Sequence, residues 1–395
     1  MHEALIISGA RTAVGKFGGA FKDVSAPELG AVVIRAALER AGVAPDAVDE
    51  VFMGNALQAT EAGYAARLAS LRAGIPEEVP TIAINRQCSS GLEAINMAAQ
   101  LVRTGEVEIA VAGGTENMSQ TPYLLGYQAR FDGLRLGDAT LVDCLTEGLG
   151  CPVNRYHMGV TAENVAERFG VSREDQDELA VISHQRATSA IKSGRFARQI
   201  AEVSVPQRRA DPMVVTIDEG PREDTTLERL AALQPVFKKD GTVTAGNAST
   251  INDGAAAVVI TSAEKAAALG LTPRMRWHTR GVAGVEPAIM GTGPVPAVRK
   301  ALKKSGMTLD DIDLIELNEA FASQALYCMR ELKMDLEKTN VNGSGISLGH
   351  PVGATGAIMT VKLMEELELR DQSLGLVTMC VGGGQGVATI FERAG

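Results

Sequence analysis

ALERAGVAPDAVDEVFMGNA, residues 37 to 56, and ALKKSGMTLDDIDLIELNEA, residues 301 to 320, read as one piece of fold written twice. Ala37 aligns with Ala301, Leu38 with Leu302, Gly42 with Gly306, Asp46 with Asp310, Asp49 with Asp313 and Ala56 with Ala320. The apolar positions agree too, Val48 with Ile312 and Val51 with Ile315. Each copy reads as the end of an amphipathic helix, a glycine stop, a short acidic turn, a strand and a loop. Two unrelated helix–strand units could share such a pattern by chance, and a duplicated α/β domain is the other reading.

Working outward, Ser25 and Glu28 form an S-x-x-E capping box. Leu29, Val32, Val33, Ala36 and Ala37 then give the apolar stripe of the first copy's helix. The second copy has its matching helix near residues 295 to 305. Residues 118 to 250 have no counterpart in either copy. They include a helical stretch near 161 to 194 and loops rich in Arg, Asp and Met, a composition that suits a binding or assembly insertion.

A chain of 395 residues is too long for one ordinary core, which fits two domains or a duplicated unit with an insertion. The net charge of −10, with no long Lys/Arg run, argues against a general nucleic-acid or anionic-membrane surface. Five scattered cysteines without a C-x-x-C suggest neither a disulfide framework nor a zinc site, so no metal is expected. The apolar run in MHEALIISGART is too short for a signal peptide or a spanning helix, and a cytoplasmic location follows as an expectation. The 42 glycines exceed the usual share of about 7% and cluster where apolar runs end, which favours an enzyme with functional loops.

The stretch NRQCSSGLEAIN, residues 85 to 96, carries the first chemical signal. Thr81 to Ile84 read as the end of a short buried strand, and Leu92, Ile95, Ala99 and Val102 recur at helical spacing. Cys88 therefore falls at a strand-to-helix turn. Unpaired N–H groups and the helix dipole there stabilise a thiolate and can lower its pKa by one to several units from roughly 8.5.

NVNGSGISLGHPVGATGA, residues 340 to 357, places His350 after a Gly-rich loop, where it could activate a cysteine nucleophile. LGLVTMCVGGGQGVATIF, residues 374 to 391, puts Cys380 at a strand end before glycines whose N–H groups could face an oxyanion. Asn318 in ELNEAFASQ follows the second copy's strand. A dinucleotide fingerprint on Gly343, Gly345 and Gly349 fails, because too little chain follows for the remaining βαβ units.

Taken together these segments resemble the thiolases, the acetyl-CoA C-acyltransferases, over essentially the whole chain. RTAVGKFGG, NRQCSSG, AGGTENMS, YHMGVTAEN, GTVTAGNASTINDGAAA, MGTGP, NEAF, GHPVGATGA and CVGGGQG occur in order. The resemblance implies an α/β thiolase fold of two duplicated halves in five layers (αβαβα) with an inserted loop domain. The expected division is 1–117 plus 251–270 for the N-terminal half, 118–250 for the insertion and 271–395 for the C-terminal half.

By the same resemblance, Cys88 is the acyl-accepting nucleophile, His350 activates it, and Cys380 moves a proton at the α-carbon of acetyl-CoA. Asn318 would hold a water that, with His350, binds the thioester oxygen, and the N–H groups of Cys88 and Gly382 would bind the other oxyanion. His157, Arg222, Phe237 and Ser249 are the implied coenzyme A contacts, with Met158, Met290 and Phe321 around the acyl group. Ser89 in NRQCSSG is closer to some degradative enzymes, whereas Met158 and Met290 resemble a short-chain pocket. The expected activity is reversible condensation of two acetyl-CoA to acetoacetyl-CoA and CoA, with a degradative 3-ketoacyl-CoA thiolase of β-oxidation as the alternative. Coenzyme A and acyl-CoA are then small-molecule substrates, and no cofactor is permanently bound. GLRLGDATLVDCLTEGL resembles the family's tetramerisation loop and implies a homotetramer, a dimer of dimers. A carrier without catalysis would be expected to lack one of Cys88, His350 or Cys380, and Cys380 in CVGGGQG speaks against a condensing enzyme of fatty-acid synthesis.

Overall fold

The computed structural model describes residues 2–134 and 136–394. Nine strands form one hydrogen-bonded path: β1 (Ala4–Arg11), β2 (Glu50–Gly54), β3 (Thr81–Ile84), β4 (Ile109–Asn117), β5 (Asn252–Ser262), β6 (Met275–Gly284), β7 (Leu314–Leu317), β8 (Leu374–Val381) and β9 (Gln385–Arg393). Their spatial order is β7-β8-β9-β6-β1-β5-β4-β2-β3. Four strands repeat in the same order, β1-β5-β4-β2 in the first half and β6-β9-β8-β7 in the second, and the first half adds β3 at its edge, where the second has only an isolated parallel bridge between Ile315 and Thr339. The pairing sense agrees as well, with β2 parallel to β4 and β7 parallel to β8, and antiparallel neighbours beyond. The halves join where β1 meets β6 through Leu5–Arg276 and Ile6–Met275.

Local sequence explains each repeat. The helix α1 (Ala26–Ala41) starts at Ser25, whose side chain and that of Glu28 form the capping box, and stops at Gly42 with φ 67°. The second copy's helix, Pro294–Ser305, stops at Gly306 with φ 73°. A single 3-10 turn follows each, Pro45–Ala47 and Leu309–Asp311. Asp49 then accepts the N–H groups of Glu108 and Ile109 at 2.9 and 2.8 Å, while Asp313 accepts those of Ser373 and Leu374 at 3.0 and 2.9 Å. The echo in the sequence is an echo in hydrogen bonds.

The layering follows from alternation along the strands. The helix α2 (Ser90–Thr104) and its counterpart near the C-terminus, Thr355–Leu369, share one core with Ala110 and Ala112 of β4 and Val377 and Met379 of β8. Val111 faces the other way onto Val33 and Ile34 of α1, and Leu376 faces Val298 and Ala301 of the helix 294–305. The order is helix, sheet, central helix pair, sheet, helix. The expected five layers are present, with the two sheets continuous through β1 and β6.

Two expectations are corrected. The stretch near 161 to 194 is two helices, α3 (Met158–Phe169) and α4 (Arg173–Lys192), broken at Gly170 with φ 64°. The strand β3 is not buried: it is the last in the order, paired only with β2, and Ile82 is 37% exposed. Three further long helices are α5 (Pro294–Ser305), α6 (Ala322–Leu332) and α7 (Thr355–Leu369). Among the described residues no helix is long and apolar enough to cross a membrane.

Candidate active site

Cys88 sits in the turn between β3 and α2, where the chain reverses through Gln87 at φ 45°. That left-handed backbone is costly for a non-glycine residue. Ser90 holds it: its hydroxyl donates to Gln87 O at 2.6 Å and accepts from Arg86 N at 2.9 Å. The residue is half-buried and lines a cavity. Burial pushes the Cys88 thiol above its ordinary value, and the backbone N–H groups of Gly382 and of Cys88 itself offset this only in part. The helix N-terminus therefore does not win, contrary to the sequence expectation, and the resting group is a thiol.

His350 reaches the same place from the other half. Gly349 before it has φ 106°, and an added Cβ would overlap the side chain of Asn252, so only glycine makes this turn. Asn252 Oδ1 in turn accepts the backbone N–H of His350 at 2.9 Å. Nδ1 lies 2.6 Å from Thr355 Oγ1, whose hydrogen goes to Pro351 O at 2.9 Å. Nδ1 therefore carries the ring proton and Nε2 presents a lone pair. Burial lowers the imidazole pKa to about 4, so the ring is neutral.

Asn318, one residue past β7, places Nδ2 at 3.5 Å from His350 Nε2. Its Oδ1 is buried without a partner among the described residues. Cys380, near the end of β8, is wholly buried in an apolar cluster with Met290, Ala320 and Phe321. That burial pushes its thiol far up, and the charge of a Cys88 thiolate adds to the effect.

A cavity of about 710 Å³ opens over this group, lined by Cys88, His350 and Gly382 at its base. Met158, Met290 and Phe321 form an apolar wall, and His157, Phe237, Ser249 and Arg222 continue outward. All the expected site residues line it except Asn318 and Cys380, which lie behind the surface. His157 caps α3 by accepting Gly159 N at 3.0 Å and stacks on Phe237 with ring centroids 4.7 Å apart; its burial lowers its pKa. Phe237 meets Phe321 edge-on at 6.2 Å.

Several participants were not anticipated. Lys16 and Phe17, inside RTAVGKFGG, line the mouth beside Glu219. His184 on α4 accepts the N–H of Arg222 at 3.1 Å and so fixes that segment; burial and then the Arg222 charge lower its pKa to about 4. Asn252 lay within a quoted motif, but its bond to His350 spans 98 residues and leaves no local signal.

The arrangement can hold a neutral base against a thiol, and a second thiol beside it. Models of the thiolase N-terminal and C-terminal domains match residues 4–264 and 271–393. The chain belongs to the thiolase family. This thiolase is 51% identical over 394 residues to an acetyl-CoA acetyltransferase of Cupriavidus necator, covering 100% of both chains. Among solved structures it superposes on an acetyl-CoA acetyltransferase of Bacillus anthracis with a TM-score of 0.97, at 48% identity, covering 100% of this thiolase and 99% of that chain. It also superposes on human mitochondrial 3-ketoacyl-CoA thiolase with a TM-score of 0.96, at 44% identity, covering 100% and 99%.

Proposed function

We propose that the protein is an acetyl-CoA acetyltransferase that condenses two acetyl-CoA into acetoacetyl-CoA and CoA, reversibly, through an acetyl group on Cys88. The observation that carries this reading is that Cys88 and His350, with its free Nε2 lone pair, line one cavity, while Cys380 lies buried behind its surface, close enough for the charge of a Cys88 thiolate to act on it. His350 takes the Cys88 proton as sulfur attacks the thioester carbonyl. The N–H groups of Cys88 and Gly382 receive the oxyanion. Cys380, a thiol at rest, protonates the departing CoA sulfur.

In the second half-reaction the Cys380 thiolate removes an α-proton from the next acetyl-CoA. The enolate oxygen is held by His350 and by a water bound to Asn318. The enolate carbon attacks the acetyl carbonyl, and the expelled Cys88 sulfur recovers its proton from His350. Atoms and protons balance, and every group returns to its starting state.

His157, Phe237 and Ser249 are assigned to the pantetheine arm and Arg222 to the nucleotide phosphates, a local cation on a chain of net charge −10. The segment 118–250, which supplies His157, Arg222, Phe237 and Ser249 to the cavity lining, is assigned as the inserted loop domain between halves at 1–117 plus 251–270 and 271–395. A dimer of dimers is supported by the open edge of β3 and by exposed Leu134, Leu136, Leu141 and Val142 in the loop assigned to tetramerisation, with exposed Tyr123, Tyr127 and Phe131 just before it. Arg135 of that loop lies outside the described residues. Five free cysteines, two of them needed reduced, suit the cytoplasm.

The degradative reading is favoured by the likeness to 3-ketoacyl-CoA thiolase; the short-chain reading by Met158, whose methyl group packs against Gly382, and by Met290 in the same cavity lining. CoA-dependent thiolysis of 3-ketoacyl-CoA of about four, six and eight carbons decides between them. Turnover confined to the shortest substrate is expected. Equal or faster turnover of the longer ones would replace this reading with the degradative one.

A further inference from the structure

The chemistry proposed above leaves one central charged group unused. Glu116, one residue from the end of β4, is 1% exposed. Its Oε1 accepts Asn55 Nδ2 at 2.8 Å and Leu57 N at 3.2 Å. Its Oε2 accepts Ala56 N at 2.9 Å and Gly353 N at 2.7 Å. These groups can only donate, so both oxygens are occupied in a way that suits a carboxylate and leaves no place for an acidic proton.

The donors come from two segments that the chemistry needs in register. Gly353 follows His350 by one short turn, so its bond anchors the loop that carries the imidazole. Ala56 leads the other way: its carbonyl accepts Asn85 Nδ2 at 3.0 Å, and Asn85 Oδ1 accepts Gln87 N at 3.0 Å. Gln87 is the left-handed residue that presents Cys88. One carboxylate thus ties the nucleophile turn of the first half to the imidazole loop of the second.

We propose that Glu116 is a positioning residue that holds Cys88 and His350 in reacting geometry across the boundary between the halves. The inference rests on the acyl-transfer reading of those two residues. It goes beyond that reading in assigning the relay Glu116–Ala56–Asn85–Gln87.

The first test is Glu116→Gln, which keeps the shape but sets an amide –NH2 against an N–H donor and releases one arm. The kcat for thiolysis is expected to fall about 100-fold, as for a misplacement near 1 Å, with KM within about threefold because the cavity mouth is untouched. The second is Asn85→Ala, a surface-side change that cuts only the link from Ala56 to Gln87. It is expected to lower kcat without changing KM, and the double variant to be little worse than Glu116→Gln alone. An unchanged kcat in Asn85→Ala, or losses that simply multiply, overturns the relay even if Glu116→Gln fails to fold.

A pH profile gives a readout that a packing defect would not move. Burial takes the Glu116 carboxyl up to about 7, so protonation on the acid side should release its donors and lower kcat in the wild type. The titratable groups that act on it or feel its charge are Asp253 from β5 and Cys88 from its turn, and both remain in Glu116→Gln, as does His350 on the anchored loop. That variant is expected to be flat between about pH 6 and 7.5; an unchanged limb overturns the assignment. Acetylation of Cys88 by acetyl-CoA separates the two levels. If the wild type does not acetylate, the acyl-transfer reading falls and takes this inference with it. If the wild type and Glu116→Gln acetylate at equal rates, only the inference falls.

Discussion

The two halves of the molecule share a frame and divide the work. Asp49 and Asp313 make the same pair of bonds to the starts of β4 and β8, which sets those strands in register. Carried along the frame, Gly54 corresponds to Asn318 and Thr115 to Cys380. The starts of α2 and α7 match Gly91 with Gly356, Cys88 with Gly353 and Asn85 with His350. A Cβ on Gly91 would meet Gly353 O at 2.9 Å, and one on Gly356 would meet Leu92 N at 2.6 Å. Each half thus puts a reactive group where the other has a glycine or a plain polar residue, and the glycines let the helix starts approach closely. Duplication supplied the symmetry, and chemistry required its loss.

Substitutions that restore the symmetry test this division. The largest effect is expected from Cys88→Ala, with turnover down roughly 10⁶-fold, as for loss of a nucleophile elsewhere, and no acetyl-enzyme. A residual rate near wild type would remove Cys88 from the chemistry. Next is Cys380→Thr, which writes the first half's residue into the second: carbon–carbon turnover should fall between about 10² and 10⁴-fold while acetylation of Cys88 still reaches completion. Normal thiolysis in that variant would refute the proton role of Cys380.

Asn318→Gly, the other exchange, should cost about 10² to 10³-fold in kcat through loss of an enolate-side donor. The smallest effects fall on the shared frame. Asp49→Ala and Asp313→Ala are each expected to cost about 1–3 kcal/mol in urea unfolding, because the part-buried N–H groups of Ile109 and Leu374 lose their acceptor. Markedly unequal losses would show that the two bonds are not equivalent parts of one frame.

The fold was largely legible because its determinants are local. The Ser25–Glu28 capping box, the Gly42 and Gly306 stops and the alternation in β4 all act within a few residues of themselves. The edge position of Thr81–Ile84 was not legible, since TIAI reads alike on a central or an outer strand. In the site, motifs located Cys88, His350 and Cys380, and the cavity brings Cys88 and His350 together. The sign of the Cys88 shift was misread because a helix N-terminus is visible in sequence and burial is not. Glu116, His184 and Asn252 escaped for a related reason: each acts through partners dozens of residues away or more.

That sign gives a further check. With Cys88 raised by burial and His350 neutral above about 4, the rate of iodoacetamide alkylation at Cys88 should climb with pH past the ordinary cysteine midpoint of about 8.5. A midpoint well below that value would mean a resting thiolate and a different order of proton transfers.

The most direct test of the central claim is peptide mass mapping after a brief incubation with acetyl-CoA and an acid quench. One acetyl group on Cys88 in the wild type and in Cys380→Thr, and none in Cys88→Ala, is the expected result. An acetyl group on Cys380 instead, or none on Cys88 in the wild type, would contradict the account.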